Sequence, residues 1–454
     1  MYDLRILNAT VVTEAGSRVA DIGIEGHSIA DVVPQGGLGA GRRELDASGL
    51  HVMPGAVDVH FHCRAPSRPE RGDFASETAA AAAGGVTTVF EMPIADPACS
   101  TPDVFLTRRS LIEAEANVNV ALYAGAAVEP ARAESMAALG AIGFKLFTLR
   151  PTPGREREFD GLWATGDADV FRALASVAET QLRCVIHAES DSLLGLLQAR
   201  PGGAGKRPPA VEAIGIAATA AIAKEASAPI HVAHVSSRTA LDAVRAGVEL
   251  GADLTAETCP QYLLLDERTV ERFRGLAKIA PPLRTPEDRE ALWAAIGAGT
   301  IGVLASDHSP FLPHEKLDVD FELAPQGLPT VELLVPAILD AAARGTLPLE
   351  RAVGLVTAAP ARLFGLDTKG TLEIGADADV TLFSFTEPIH PVADGFKTRA
   401  RGCAVVFEPL ELRARIEQTL VGGDVVFADG EVLAERRGRF VAGARATIRE
   451  PEPV

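Results

Sequence analysis

The apolar positions of the chain change rhythm twice. Up to about residue 51 they alternate with polar ones in short runs: Leu4-Arg5-Ile6-Leu7, Thr10-Val11-Val12-Thr13, Asp21-Ile22-Gly23-Ile24 and Ser28-Ile29-Ala30-Asp31-Val32-Val33. Alternation sends every second side chain to one face, so these runs predict short antiparallel strands with one buried side. The same texture returns near the other end, in Asp379-Val380-Thr381-Leu382-Phe383 and between Val421 and Leu433, where Asp429-Gly430 marks a hairpin turn. Neither end carries enough apolar residues for a core of its own. The two, residues 1–51 and 367–454, are expected to pair into one small β-sandwich.

Between them, over 52–366, alternation gives way to compact apolar runs near 53–60, 86–92, 118–124, 142–147, 183–188, 229–235, 253–257 and 301–306. These runs are rich in β-branched residues and apolar on both faces, as strands of a buried parallel sheet are. Helical-period stretches fall between them, at 76–83, 102–115, 168–180, 210–225, 237–250 and 286–296. Eight such units predict an α/β fold: a (β/α)8 TIM-like barrel, whose chemistry lies at the C-terminal ends of its strands.

Composition narrows the function classes. Lys plus Arg number 43 and Asp plus Glu 61, a formal charge of -18, so the surface repels phosphate backbones and argues against nucleic-acid binding. The five cysteines (Cys63, Cys99, Cys184, Cys259, Cys403) are odd in number and show no C-x-x-C spacing, which suits reduced thiols and a cytoplasmic location. The first residues lack a basic stretch followed by an apolar run, and no apolar run reaches the length of a membrane span.

The barrel reading makes a test possible: do residues able to bind metal fall at strand tips? The first barrel strand ends in Asp58-Val59-His60-Phe61-His62, and two imidazoles two residues apart share a face. The fourth run, Gly143-Phe144-Lys145-Leu146-Phe147, holds a lysine among apolar residues. A buried ammonium is costly, so Lys145 needs a partner or an altered chemical form. The fifth ends in His187-Ala188-Glu189, the sixth reads His231-Val232-Ala233-His234, and the eighth ends in Ser306-Asp307-His308-Ser309. Taken singly, each histidine is more often a core residue than a ligand. Their coincidence at successive strand tips is not expected by chance. His231 and His234 compete for one role, and His234 lies nearer the tip. His308 should point away from the site, and His314 sits on a loop.

These motifs, with Gly84-Gly85-Val86-Thr87-Thr88, Glu257-Thr258-Cys259-Pro260, Pro281-Pro282-Leu283-Arg284 and Ala359-Pro360-Ala361-Arg362, resemble the amidohydrolase superfamily over nearly the whole chain. Within it they resemble the cyclic amidohydrolases: hydantoinases and dihydropyrimidinases, allantoinases and dihydroorotases. The resemblance implies that Lys145 is carboxylated and bridges two divalent metal ions, zinc being the usual occupant. His60, His62 and Asp307 would hold one, and His187 and His234 the other. It implies hydroxide shared by the metals attacking a ring amide, with Asp307 as general base and then acid. A small cyclic amide would be the substrate, and a homodimer or homotetramer the assembly. Main-chain groups at Ala280 and Gln326 would bind the ring.

The ring itself divides the motifs. Arg64 matches the arginine that grips the dihydroorotate carboxylate; the alternative is a rim salt bridge. The asparagine and histidine that dihydroorotases add are Ile94 and Phe311 here, and the tyrosine of dihydropyrimidinases is Arg150. Glu91-Met92-Pro93-Ile94 and Asp307-His308-Ser309-Pro310 look most like allantoinases and L-type hydantoinases. The expectation is a hydrolase of a five-membered ureide ring, with a six-membered ring as alternative. A metal-free assembly scaffold would have lost ligands, and all six positions are filled.

Overall fold

The computed structural model describes residues 1–200, 207–433 and 436–447. Five strands open the chain: β1 (Tyr2–Thr13), β2 (Gly16–Glu25), β3 (Ser28–Pro34), β4 (Gly41–Asp46) and β5 (His51–Pro54). Eight more follow, alternating with helices: β6 (Ala56–Phe61), β7 (Val86–Glu91), β8 (Asn119–Gly125), β9 (Gly143–Phe147), β10 (Cys184–His187), β11 (Ile230–Val232), β12 (Leu254–Thr258) and β13 (Val303–Leu304). The last four are β14 (Val380–Ile389), β15 (Leu412–Val421), β16 (Asp424–Ala428) and β17 (Glu431–Val432).

Strands β6 to β13 lie side by side in chain order, each parallel to the next. This is the expected barrel. Its closing seam is made by polar groups beyond the short β13. The Ser306 N–H and hydroxyl donate to the Asp58 carboxylate at 2.9 and 2.5 Å, and the His62 N–H donates to the His308 carbonyl at 2.8 Å. Asp58 is fully buried, and burial raises its pKa to about 7.

Several helices start where a side chain can cap them. Asp73 accepts from the Ser76 N–H ahead of the helix Phe74–Ala83, Ser237 caps Arg238–Glu249, and Thr285 precedes Pro286 in Pro286–Ala298. The sequence reading did not single out the helix Val331–Ala343. Ten of its positions are buried, so it lacks the one-sided apolar stripe that betrays a surface helix, and Pro336 lies inside it.

The two chain ends share one sheet, in the order β17-β16-β15-β14-β5-β1-β2-β3, with β4 branching from β1. The seam between the ends is the antiparallel pair β14–β5, with Val52 opposite Leu382. Leu4, Ile6, Ile22, Val52, Val380 and Leu420 bury a common core there. The unit is anchored to the barrel where Gly55 donates to the Asp379 carbonyl at 2.8 Å and the Thr381 hydroxyl donates to the Gly85 carbonyl at 2.7 Å. The end of the expected C-terminal part, 448–454, lies outside the described residues.

Glu332 heads the helix Val331–Ala343 and accepts from the N–H groups of Lys397 and Thr398 at 2.8 and 3.2 Å. Burial outweighs these bonds and raises its pKa from 4.5 to about 8. A folded pKa above the unfolded one gives stability that is complete below the unfolded value and lost as pH rises through the folded value. Glu332→Gln keeps the accepting oxygen. It is expected to flatten the loss of Tm between pH 4.5 and 8, measured by scanning calorimetry. A slope equal to wild type would assign that loss to other groups.

Candidate active site

The site begins at β6. The His60 Nδ1 donates to Glu257 Oε1 of β12 at 2.5 Å, which leaves the Nε2 lone pair facing Asp307 Oδ1 at 3.3 Å. His62, just past β6, brings its Nε2 to within 3.5 Å of the same oxygen. Asp307 reaches that point because the chain leaves β13 and takes a left-handed backbone, φ 48°. One ligand atom from each of His60, His62 and Asp307 lies within 4.8 Å of the others, a group able to hold a divalent cation.

A second pair adjoins it. At the end of β10, His187 Nε2 donates to Glu189 Oε2 at 2.7 Å, so its Nδ1 lone pair faces inward, 2.9 Å from His234 Nε2. His234 follows β11 at φ 41°. The rings form a continuous chain: His62 to His60 at 5.3 Å, His60 to His234 at 5.3 Å and His234 to His187 at 4.6 Å between centroids.

Lys145 rises from β9 into this cluster. Its Nζ is buried and has no hydrogen-bond partner among the described residues. Burial lowers its pKa, against the pull of the Glu257 and Asp307 carboxylates. Burial also lowers the histidines, His60 to about 4 and His62, His187 and His234 likewise downward. Neutral imidazole is the form that binds metal. Burial alone would raise Glu257, but His60 and His231 hold it below the usual carboxylate range. For Asp307, burial raises the pKa. Neutral imidazoles, two of them held by Glu257 and Glu189 with a lone pair inward, a carboxylate and an orphaned buried amine fit divalent cations.

Above the cluster lies a cavity of about 360 Å³, lined by all six of these side chains. Arg64 enters it at φ 60°, buried, stacked over Phe311 at 4.9 Å. One guanidinium nitrogen donates to Ser309 Oγ at 3.2 Å and another lies 3.5 Å from Glu158, while Nε has no partner among the described residues. Ala280 and Gln326 line the same cavity. The Gln326 side chain is already engaged, its Oε1 accepting from Arg207 Nη1 at 2.9 Å. Arg150 stands at the exposed rim and pairs with Asp191 at 2.7 Å.

The other histidines of the barrel lie outside the cluster. His308 stacks on Phe61, accepts the Val331 N–H at Nδ1 and donates from Nε2 to Glu77 at 2.8 Å, facing away from the cluster. His231 lies between Thr255 and Glu257, and His314 is exposed on the short helix Pro313–Leu317. Sequence reasoning assigned no role to Glu257, Glu189 or Arg207. Glu189 had a local signal, two residues past His187 in one strand end; the other two act across long loops.

A closed parallel barrel with neutral histidines, an aspartate and a buried lysine gathered at its strand tips defines a metal-capable barrel hydrolase. Comparison with known proteins narrows this. Residues 51–426 match the amidohydrolase family, and the chain belongs to it. It is 34% identical to an allantoinase of Rubrobacter xylanophilus, over 98% of each chain. It is 32% identical to a dihydroorotase of Geobacter sp. (strain M21), over 86% of this chain and 90% of that one. The solved L-hydantoinase (dihydropyrimidinase) from Arthrobacter aurescens superposes with a TM-score of 0.91 at 30% identity, covering 97% of this chain and 100% of its own.

Proposed function

We propose that the protein opens a five-membered cyclic ureide, an allantoin or a hydantoin, by metal-dependent hydrolysis of a ring amide. The observation that carries this reading is the orphaned Lys145 amine, buried among four neutral histidines and Asp307 at the floor of a cavity sized for a small ring. Carboxylation by CO2 would make the amine an anionic carbamate, releasing one proton, and remove the cost of a buried cation. His60, His62 and Asp307 would then hold one divalent ion and His187 and His234 a second, with the carbamate between them and zinc the expected metal. Such ions acidify water and polarise the carbonyl under attack.

The chain's own groups do the rest. The main chain at Ala280 and Gln326 holds the ring amide. The Asp307 carboxylate takes the proton of the attacking water and returns it to the departing ring nitrogen. Arg64, which lines the cavity, reads the ring substituent. It is also the observation that favours dihydroorotate as a second reading. Against that, buried Ile94 and Phe311 offer a carboxylate no hydrogen bond.

The reading includes a homodimer or homotetramer in the cytoplasm. No helix among the described residues is long and apolar enough to cross a membrane. The test is a turnover screen of metal-replete protein with allantoin, substituted hydantoins, dihydrouracil and dihydroorotate, beside metal analysis. Opening of allantoin or a hydantoin, with about two metal ions per chain and loss of activity on chelation, is the expected result. Turnover of dihydroorotate alone would reverse the ranking of rings. A stable chain that binds no metal would make it a scaffold.

A further inference from the structure

Arg207 stands two residues before the helix Pro209–Glu225, in a stretch that sequence periodicity leaves blank. Its side chain is only 9% exposed, and it spends its planar fork on two different parts of the fold. Nε donates to Glu189 Oε1 at 3.0 Å and Nη2 donates to Glu189 Oε2. The third contact, from Nη1, goes to Gln326 Oε1 at 2.9 Å. Glu189 in turn takes the His187 Nε2 proton at 2.7 Å, and its own N–H is fixed by Thr148 Oγ1 at 2.9 Å. An unbroken relay therefore runs from Gln326, on the segment that roofs the cavity, to the ring whose free Nδ1 faces His234.

The middle of the relay and its roof end are held independently. Arg284 Nη1 donates to the Arg207 carbonyl at 2.5 Å and its Nε donates to Ser236 Oγ at 3.1 Å. On the roof, Gly327 donates to the Lys278 carbonyl at 3.1 Å, and the buried Lys316 ammonium donates to the Gly327 carbonyl. Arg207 joins Glu189 to Gln326. A carboxylate gripped by two parallel N–H groups cannot swing, so the imidazole bonded to it cannot tilt. A lysine could neutralise Glu189 but could not supply two parallel donors and a third to Gln326.

We propose that Arg207 is a positioning residue: it locks the His187 ring through Glu189 and sets the cavity roof against that ring through Gln326. The inference rests on the reading of His187 as a metal ligand. Its two halves separate experimentally. Severing the Glu189 half loosens the ligand, and severing the Gln326 half loosens only the roof.

The experiment compares wild type with Arg207→Met, Arg207→Lys and Gln326→Leu. Zn2+ affinity is measured by chelator competition, and kcat and KM on the best ring of the screen. Arg207→Met is expected to weaken Zn2+ binding by about 10–100-fold, and Arg207→Lys to recover only a minor part of it. Gln326→Leu should bind Zn2+ within about twofold of wild type while KM rises several-fold. Should Arg207→Met fail to fold, the gentler Arg207→Lys carries the decision. Wild-type Zn2+ affinity in the folded arginine variants overturns the inference and leaves the metal site standing. A wild-type chain that takes up no Zn2+ overturns both. Because Zn2+ binding is read without turnover, a wrong choice of ring does not disturb the Glu189 half of the result.

Discussion

Asp307→Asn is expected to retain the fold and most of its metal while kcat falls by about 10³–10⁴-fold. The aspartate sits where two jobs meet. Its Oδ1 lies 3.3 Å from His60 Nε2 and 3.5 Å from His62 Nε2, so it closes the donor triangle. Its side chain is 15% exposed, and it borders the cavity, so it can meet the attacking water from the open side. Asparagine has the same shape and keeps an oxygen for the cation. It cannot take a proton from water or return one to the leaving nitrogen. Loss of proton transfer should therefore appear in kcat with metal content nearly preserved, read by metal analysis and steady-state kinetics on the same preparation. A variant that turns over near the wild-type rate would take the proton-carrying role away from Asp307.

That expectation rests on residues that could be found in the sequence, for a physical reason. A polar side chain inside an apolar strand has to be explained. His60, Lys145 and His187 stand out because Val59, Phe144 and Ile186 beside them are buried and apolar, and Asp307 follows the apolar run that ends at Ala305. The strand-face argument had less force at His234. β11 stops at Val232, so a two-residue period no longer applies when the chain reaches His234 at φ 41°. Position relative to the tip, not face, is what brings His234 to His187.

The supporting polar groups were hidden because no local pattern marks them. Glu257 bonds to His60 across 197 residues, and Arg207 bonds to Gln326 across 119. The same is true of the fold. Helices with a cap and a one-sided stripe were legible, such as Arg238–Glu249. The buried Val331–Ala343 was not, because a helix apolar on nearly every side gives no period to read.

Lys145→Ala is the stricter test, because the whole account turns on that amine. The variant is expected to lose bound metal and essentially all turnover, while its melting temperature stays within a few degrees of that of metal-free wild type. The first part follows from ligand count: without Lys145 no carbamate would stand between the His60/His62/Asp307 group and the His187/His234 pair. The second follows from the cost of the side chain it removes. A buried amine with no hydrogen-bond partner contributes little to stability, and its stem leaves a small space. Burial lowers the Lys145 pKa, so part of the amine is neutral and able to react with CO2. Two measurements then separate a carbamate from a bare lysine. Short carboxylic acids such as acetate or propionate, small enough to enter the vacated space, should restore part of the metal binding and activity of Lys145→Ala. Wild-type protein given ¹³C-bicarbonate should show a carbamate resonance that Lys145→Ala lacks. If Lys145→Ala instead keeps its metal and its rate, the lysine is a packing residue and the cations are held by histidine and aspartate alone.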